Sequence, residues 1–172
     1  MSLYVEWINL IKERSDESWL THSQREVYDQ ILSRWQSTDF VNLCGPPGAG
    51  KSFIARLLAK GHGYAYAHNL ADAPPSSANV VLDDAQYTRI LRLARKDLAL
   101  GRVVLLTRAA IQEAMPRAEL SLDDKDVREF LATLSNHCGI LFTQTIPEGH
   151  DLGEIIRREV IKRGESNVYR GS

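Results

Sequence analysis

The chain has 172 residues, of which 44% are hydrophobic and 25% are charged, and its net charge is -1. These values are typical of one globular domain, and the small net charge argues against strong non-specific binding to nucleic acid, although a local basic face stays open. The two cysteines, Cys44 and Cys138, lie outside any metal-ligand spacing, which indicates a reducing compartment. Because no apolar run approaches the roughly 20 residues of a membrane span, we expect a cytoplasmic protein without membrane contact.

Two helices are predicted at the start of the chain, in residues 1–36. In the second helix, Val27 and Ile31 lie four residues apart, as they would on one helical face. The segment "THSQ" precedes this apolar pattern, and its Thr21 and Gln24 have the spacing of a capping box. The second helix is therefore predicted to begin at this segment, with Thr21 and Gln24 as its capping box.

Strand-like and helix-like segments alternate in residues 37–134, which we expect to form the core of the fold. The strand-like runs are "FVNLC", "YAYAH", "NVVLDD" and "RVVLLT", and the helix-like runs are "FIARLLAK" and "QYTRILRLARKDLAL". This alternation predicts an α/β domain with a mostly parallel sheet and helices on both faces. The runs "VVLDD" and "VVLLT" lack polar alternation, as expected for central strands that are buried on both faces.

The last part of the chain, residues 135–172, is predicted to form a C-terminal extension or a reduced lid. Just before and into it, "AELSL" predicts a short edge strand and "DKDVREFLATLSNHC" a helix. The run "GILFTQT" is typical of a further strand, and "DLGEIIRREVIKRG" predicts a last helix that ends at Gly164. The segment "ADAPPSSA" is predicted to be a loop between two strands, and residues 1–172 a single domain.

The segment "GPPGAGKS" fits the phosphate-loop pattern G-x-x-x-x-G-K-S/T without a mismatch, between a predicted strand and a predicted helix. Glycines let the backbone curl so that successive N–H groups face phosphate oxygens, and the start of the helix adds its dipole and free amides. Lys51 is expected to reach the β- and γ-phosphates of ATP and Ser52 to ligate Mg²⁺. The predicted nucleotide-binding residues are Gly45, Pro46, Pro47, Gly48, Ala49, Gly50, Lys51, Ser52 and Phe53.

Two acidic residues, Asp83 and Asp84, end the apolar run "NVVLDD". In P-loop ATPases a carboxylate at such a strand end holds Mg²⁺, and the next acidic residue orients the attacking water. Asp83 fits the first role and Asp84 the second. Many ATPases have glutamate in the second place, and Asp84 is one methylene shorter. This difference affects the expected rate of hydrolysis more than the expected binding of nucleotide. The alternative is that the pair opens a turn and caps the next helix.

The combination of "GPPGAGKS", "VVLDDAQ" and "RVVLLT" resembles the core of an AAA+-type P-loop ATPase, particularly the short cores related to bacterial replication initiators and helicase loaders. The resemblance covers roughly Thr21 to Leu134. It implies that Thr107 is a sensor of the γ-phosphate, with simple strand termination as the alternative. It implies an arginine finger at Arg117, for which Arg108 is a competitor and a solvated surface arginine an equal alternative.

Two further features of that family are less clear in this chain. An arginine on a late helix would contact the nucleotide, and Arg157 and Arg158 in "LGEIIRRE" are the candidates, with a solvated helix face as the favoured alternative. The usual helical lid is shortened or replaced by "GILFTQT". The resemblance therefore leaves open whether a nucleotide-dependent homo-oligomer forms.

Gln24 has a second interpretation besides the capping box. The run "WLTHSQREVYDQIL" before the phosphate loop, together with "DDAQ", resembles superfamily 1 helicases, in which an upstream glutamine contacts the adenine edge. A glutamine amide can both donate to and accept from adenine. Both roles of Gln24 stay open, although the chain has no room for the second motor domain of a helicase.

A basic stripe is predicted on the helix "QYTRILRLARKDLAL". Basic residues recur at spacings near three and four, which is suitable for contact with the phosphate backbone of DNA, although a solvated face is the commoner reason. They are Arg89, Arg92, Arg95 and Lys96.

The leading functional hypothesis is Mg²⁺-dependent binding and hydrolysis of ATP by an AAA+-like ATPase that acts on a partner protein or DNA. A P-loop small-molecule kinase is one alternative, although "ADAPPSSA" leaves no room for a substrate-binding insertion. A nucleotide-gated binding module with little hydrolysis is the other, because Asp84 is short.

Overall fold

The structure is a computed structural model that describes residues 3–33, 40–68, 79–83, 102–108, 118–139 and 152–168. Its helices are α1 (Leu3–Arg14), α2 (His22–Ser33), α3 (Lys51–His62), α4 (Asp124–Cys138) and α5 (Leu152–Val168). Its strands are β1 (Phe40–Cys44), β2 (Ala65–Ala67), β3 (Val80–Asp83), β4 (Val103–Thr107) and β5 (Ala118–Ser121).

The strands form one sheet in the order β2-β3-β4-β1-β5, and every neighbouring pair is parallel. The predicted α/β fold with a mostly parallel sheet is therefore confirmed, and "AELSL" supplies β5, which lies at one end of the sheet formed by the described strands. Because all strands run in one direction, their carboxyl ends meet at the same edge, where α/β proteins bind ligands. Asp83, Thr107 and Cys44 end β3, β4 and β1, which are consecutive strands of the sheet, so all three lie at that edge.

The main core lies between one face of the sheet and the described helices. Strand residues at alternate positions, such as Val41 and Leu43 in β1 and Val104 and Leu106 in β4, belong to it. The helices contribute Ile31, Ile54, Leu58, Phe130, Leu134 and Ile156, which are all fully buried. The intervening residues Val80, Leu82 and Leu105 are fully buried as well, as expected for central strands of a parallel sheet.

The structure corrects one helix boundary and confirms another. The last helix, α5, continues past Gly164 to Val168, whereas the sequence pattern predicted its end at Gly164. A glycine inside a helix costs only about 1 kcal/mol relative to alanine, and this helix is fixed to the core through Ile155 and Ile156. The predicted capping box of α2 is confirmed, since Thr21 and Gln24 exchange hydrogen bonds of 3.1 and 3.3 Å.

Several sequence-based predictions concern residues outside the described ranges. They are the loop "ADAPPSSA", the basic stripe with Arg89, Arg92, Arg95 and Lys96, and the predicted strand "GILFTQT" except its first residue, Gly139, which ends the preceding helix. Within the described ranges, none of the helices combines the length and the apolar character that crossing a membrane requires.

Candidate phosphate-binding site

The prolines and glycines between β1 and α3 form a tight turn. The Ala49 N–H donates to the Pro46 carbonyl over 3.3 Å, and Gly48 between them has a φ of 84°. A type II turn favours proline at its second position and requires a positive φ at its third. Pro47 and Gly48 occupy these two positions. The turn reverses the chain at the carboxyl edge of the sheet.

The beginning of the loop is fixed by the strands on both sides of β1. The Gly45 N–H donates to the Thr107 carbonyl of β4 over 3.1 Å, and the Leu122 N–H donates to the Cys44 carbonyl over 2.9 Å. A Cβ atom on Gly45 would lie 2.8 Å from the Leu122 carbonyl oxygen, a distance that real Cβ atoms do not adopt. Glycine is therefore required at this position by close approach of two backbones.

The end of the loop supplies donors from the first turn of α3. The Ile54 N–H makes the first helical bond, to the Gly50 carbonyl over 2.9 Å, so the N–H groups of Lys51, Ser52 and Phe53 precede it and have no acceptor within the helix. Such a helix start favours an anion through both its free amides and its dipole. The Phe53 ring packs against Phe130 in the core, with 5.0 Å between ring centroids, so only the backbone of Phe53 faces the site.

Lys51 lies across the loop that it follows. Its ammonium donates to the Gly45 carbonyl over 2.5 Å and to the Pro46 carbonyl over 3.0 Å. Burial lowers the pKa of Lys51, the negative charge of Asp83 opposes that shift, and the positive charge of Arg108 adds to it. A partly desolvated ammonium next to free N–H groups attracts phosphate strongly, because charge-assisted hydrogen bonds are roughly twice as strong as neutral ones.

Ser52 and Asp83, the predicted Mg²⁺ ligands, are brought together. The Ser52 hydroxyl donates to Asp83 Oδ2 over 3.2 Å, which leaves the lone pairs of the Ser52 oxygen for a cation. Both groups are hard oxygen donors of the kind that Mg²⁺ prefers, and Mg²⁺ is usually held by one or two protein oxygens together with substrate phosphates and water. Among the described residues, no group of three or more His, Cys, Asp or Glu side chains is placed to hold a metal.

Tyr66 of β2 is a further member of this site that the sequence analysis missed. Its hydroxyl donates to the same Asp83 oxygen that Ser52 contacts. Burial, followed by the hydrogen bond and charge of Asp83, raises the pKa of Tyr66 to about 12, so the hydroxyl keeps its proton and remains a donor. The sequence does not indicate this contact, because it depends on β2 lying beside β3, where Tyr66 pairs with Val81.

Thr107 contacts the phosphate loop through its backbone and Asn42 through its side chain. The Thr107 hydroxyl donates to Asn42 Oδ1 over 3.0 Å, and Asn42 is fully buried in the middle of β1. Strand β4 lies between β1 and β3, so Thr107 is located between the phosphate loop and Asp83. Asn42, whose contact orients this hydroxyl, is the second site residue that the sequence pattern did not indicate.

Among the predicted arginines that lie within the described residues, Arg108 is near the loop. It is exposed, and its charge acts on Lys51. Arg157 lies over the ring of Tyr4 in α1, 5.3 Å from the centroid, and both Arg157 and Arg158 are exposed, in agreement with the alternative of a solvated helix face. The predicted Asp84 and Arg117 lie outside the described residues, so their roles stay predictions.

Gln24 lies beneath the loop and is fully buried. Besides the capping-box contacts with Thr21, its side-chain nitrogen donates to the Ala49 carbonyl over 2.9 Å. In this conformation Gln24 has no exposed surface with which to contact a base, so the structure favours the capping role over the adenine-reading role.

No protein-family model matches the chain, and no curated protein matches it. Among solved structures, the chain is similar to the crystal structure of NtrX from Brucella abortus in complex with ADP, with a TM-score of 0.44 and 16% sequence identity. The similarity covers 92% of this chain and 53% of that chain, so this chain spans about half the length of that protein. A similarity this low carries no conclusion about function.

Proposed function

We propose that the chain binds a nucleoside triphosphate together with Mg²⁺, with the phosphates enclosed by residues 45–52. The observation that carries this proposal is the convergence of three features at one edge of the sheet. They are the glycine-bounded turn that ends in the free N–H groups of α3, the ammonium of Lys51 over the same loop, and the adjoining Ser52–Asp83 pair.

The chemistry of these groups assigns a role to each of them. The backbone N–H groups of the loop and of the first turn of α3 would donate hydrogen bonds to phosphate oxygens. Their fixed dipoles would stabilise the negative charge of the phosphates. The Lys51 ammonium exchanges its two carbonyl acceptors for β- and γ-phosphate oxygens. Ser52 and Asp83 would hold Mg²⁺, which would supply positive charge that neutralises the phosphates.

The finer proposal is hydrolysis of ATP by an AAA+-like ATPase that acts on a partner protein or DNA. It is supported by the resemblance of the sequence motifs and by the position of Thr107 between the loop and Asp83. In this proposal Asp84 orients the attacking water and Arg117 acts on a neighbouring subunit's nucleotide. ATP is the expected nucleotide because the resemblance is to ATPases.

Replacement of Lys51 tests nucleotide binding most simply. We expect Lys51→Ala to lose most of its ATP affinity in calorimetry with Mg²⁺, because the loop loses its mobile positive charge. Lys60→Ala is the matched control, since Lys60 is on the same helix but donates to the Ser15 carbonyl. Equal ATP affinity in a folded Lys51→Ala protein and in the control would refute the proposal.

Replacement of Asp84 tests hydrolysis separately from binding. We expect Asp84→Asn to keep ATP bound and to stop phosphate release, because a water-orienting group acts only in the transition state. Asp84→Glu restores the longer side chain, and a faster release would show that side-chain length limits the rate. ATP binding by the wild type without any phosphate release would instead favour a nucleotide-gated binding module, and phosphorylation of an added metabolite would favour a kinase.

Contact with DNA has its own test in the predicted basic stripe. If the stripe binds DNA, affinity falls steeply with salt because each phosphate contact releases counterions. We expect the double variant Arg92→Glu, Arg95→Glu to lose DNA binding and to keep ATP binding. Absence of DNA binding by the wild type in low salt with ATP present would restrict the partner to protein.

A further inference from the structure

The peptide between Ala49 and Gly50 is held by a residue from a distant part of the chain. Gln24, in the first turn of α2, reaches it through the hydrogen bond from its side-chain nitrogen to the Ala49 carbonyl, 2.9 Å long. Gln24 is fully buried, so this contact is not in competition with solvent. A hydrogen bond of this kind fixes the orientation of the carbonyl that accepts it.

The direction of the Gln24 side chain is determined by its other contacts. Its oxygen accepts from the Thr21 N–H over 3.1 Å, and its own backbone N–H donates to Thr21 Oγ1 over 3.3 Å. If the amide oxygen and nitrogen were exchanged, the side-chain NH₂ would face the Thr21 N–H and the side-chain oxygen would face the Ala49 carbonyl. Neither pair can form a hydrogen bond, so the contacts determine which side-chain atom is the nitrogen. With the oxygen held at the helix start, the nitrogen faces the loop.

The held carbonyl determines where the next N–H points. In a planar trans peptide the C=O of one residue and the N–H of the next point in opposite directions, and no peptide bond of the described residues is cis. Because the Ala49 carbonyl is directed onto Gln24, the Gly50 N–H is directed away from Gln24.

Gly50 is adapted to the same contact. Its φ is 93°, a backbone angle that residues with a side chain rarely adopt. A Cβ atom there would lie 2.2 Å from the Gln24 side-chain nitrogen. The second glycine of the phosphate-loop pattern is therefore required both by its own backbone and by the amide beneath it.

We propose that Gln24 is a positioning residue of the phosphate-binding loop, which orients the Ala49–Gly50 peptide so that the Gly50 N–H donates to a phosphate oxygen. This inference rests on the proposed binding of a nucleoside triphosphate, and it assigns Gln24 to the phosphates rather than to the base. The capping box and the loop are then one connected unit, in which Gln24 serves the helix with its oxygen and the loop with its nitrogen.

Three variants separate the two functions of this side chain. Gln24→Glu keeps an acceptor for the Thr21 N–H, since glutamate is a standard capping-box residue, but it removes the donor to the Ala49 carbonyl. Gln24→Met is an uncharged variant of similar length that also lacks the donor. Thr21→Val is the matched control, because it removes the Thr21 hydroxyl from the cap and leaves the Gln24–Ala49 contact in place.

ATP affinity is measured by calorimetry with and without Mg²⁺ at a temperature at which circular dichroism shows every variant to be folded. We expect the Gln24 variants to lose affinity about tenfold, the size expected when the hydrogen bond from the Gly50 N–H to a phosphate oxygen is lost, and by the same factor with and without Mg²⁺. Thr21→Val is expected to unfold at a lower temperature while its ATP affinity equals that of the wild type.

The possible failures are distinguishable. If the wild type binds ATP, Lys51→Ala does not, and both Gln24 variants bind like the wild type, the positioning role of Gln24 is wrong and the proposed function stands. If Thr21→Val loses as much affinity as the Gln24 variants, Gln24 acts only through helix stability. If the wild type binds no ATP, the proposed function and the role of Gln24 both fail.

Discussion

The candidate phosphate loop and the proposed metal side, which consists of Ser52, Tyr66 and Asp83, are held in different ways. The loop is held by main-chain contacts to β4, through Thr107, and to the segment after β5, through Leu122, and by the amide of Gln24 from α2. The metal side consists of side chains, since the hydroxyls of Ser52 and Tyr66 both donate to one oxygen of Asp83.

This difference indicates which changes each part tolerates. The loop's geometry is determined by the packing of three elements, so a side chain added to its backbone displaces the whole assembly. The metal side is determined by rotamers at the sheet edge, so removing a polar atom there alters affinity without altering the fold. We therefore expect loop variants to affect binding with and without Mg²⁺ alike and metal-side variants to affect it only with Mg²⁺.

The largest effect is expected for Gly50→Ala. A non-glycine residue at positive φ costs about 1–3 kcal/mol in strain, and the added Cβ collides with the Gln24 amide. We expect a lower melting temperature and loss of ATP binding with and without Mg²⁺. Gly61→Ala, inside helix α3 with nothing within 4 Å of the added Cβ, should bind ATP normally and be stabilised by about 0.5–1 kcal/mol. Wild-type ATP affinity in Gly50→Ala would contradict this view of the loop.

The next largest effect is expected for Asp83→Asn. Loss of the carboxylate should weaken ATP binding about 10- to 100-fold in the presence of Mg²⁺, the range seen for groups that support a bound metal. Without Mg²⁺, affinity should be unchanged or higher, because a negative charge near the phosphates is removed. Calorimetry with Mg²⁺ and with a chelator checks both. The same loss under both conditions would place Asp83 with the loop instead of with the metal.

Tyr66→Phe should have a smaller effect of the same kind. The variant removes one donor to Asp83, and a single hydrogen bond contributes about 0.5–1.5 kcal/mol, so we expect a loss of ATP affinity of several-fold with Mg²⁺ and none without it. Tyr64→Phe is the control, since the Tyr64 hydroxyl is near Arg102 rather than Asp83. Identical affinities in the two variants would remove Tyr66 from the site.

The smallest effect at neutral pH concerns the titration of Lys51. Burial lowers the pKa of this group from the usual lysine value of 10.5, and only its charged form attracts phosphate. ATP affinity should therefore be constant around neutral pH and fall as the pH rises through the lowered pKa, before ordinary lysines titrate. Calorimetry across the alkaline range with the wild type and Lys60→Ala should show the same fall, and an affinity that falls only where ordinary lysines lose their proton would contradict it.

The sequence predicted the parts of the site that depend on neighbouring residues. The strand, turn and helix around "GPPGAGKS" follow from local propensities and turn chemistry, and so does the capping box of Thr21 and Gln24. The contacts of Tyr66 with Asp83 and of Asn42 with Thr107 were missed, because they depend on which strands lie side by side. The contact of Gln24 with Ala49 was missed for a similar reason, since it joins residues 25 positions apart.

The most direct test of the central claim is calorimetric titration of the wild type with ATP, ADP and AMP in the presence of Mg²⁺. Because the proposed contacts are to the β- and γ-phosphates, from the loop amides, Lys51 and the metal, we predict that ATP and ADP bind and that AMP binds far more weakly. AMP binding as tightly as ATP, or no binding of any of the three, would contradict the assignment of this loop to nucleotide phosphates.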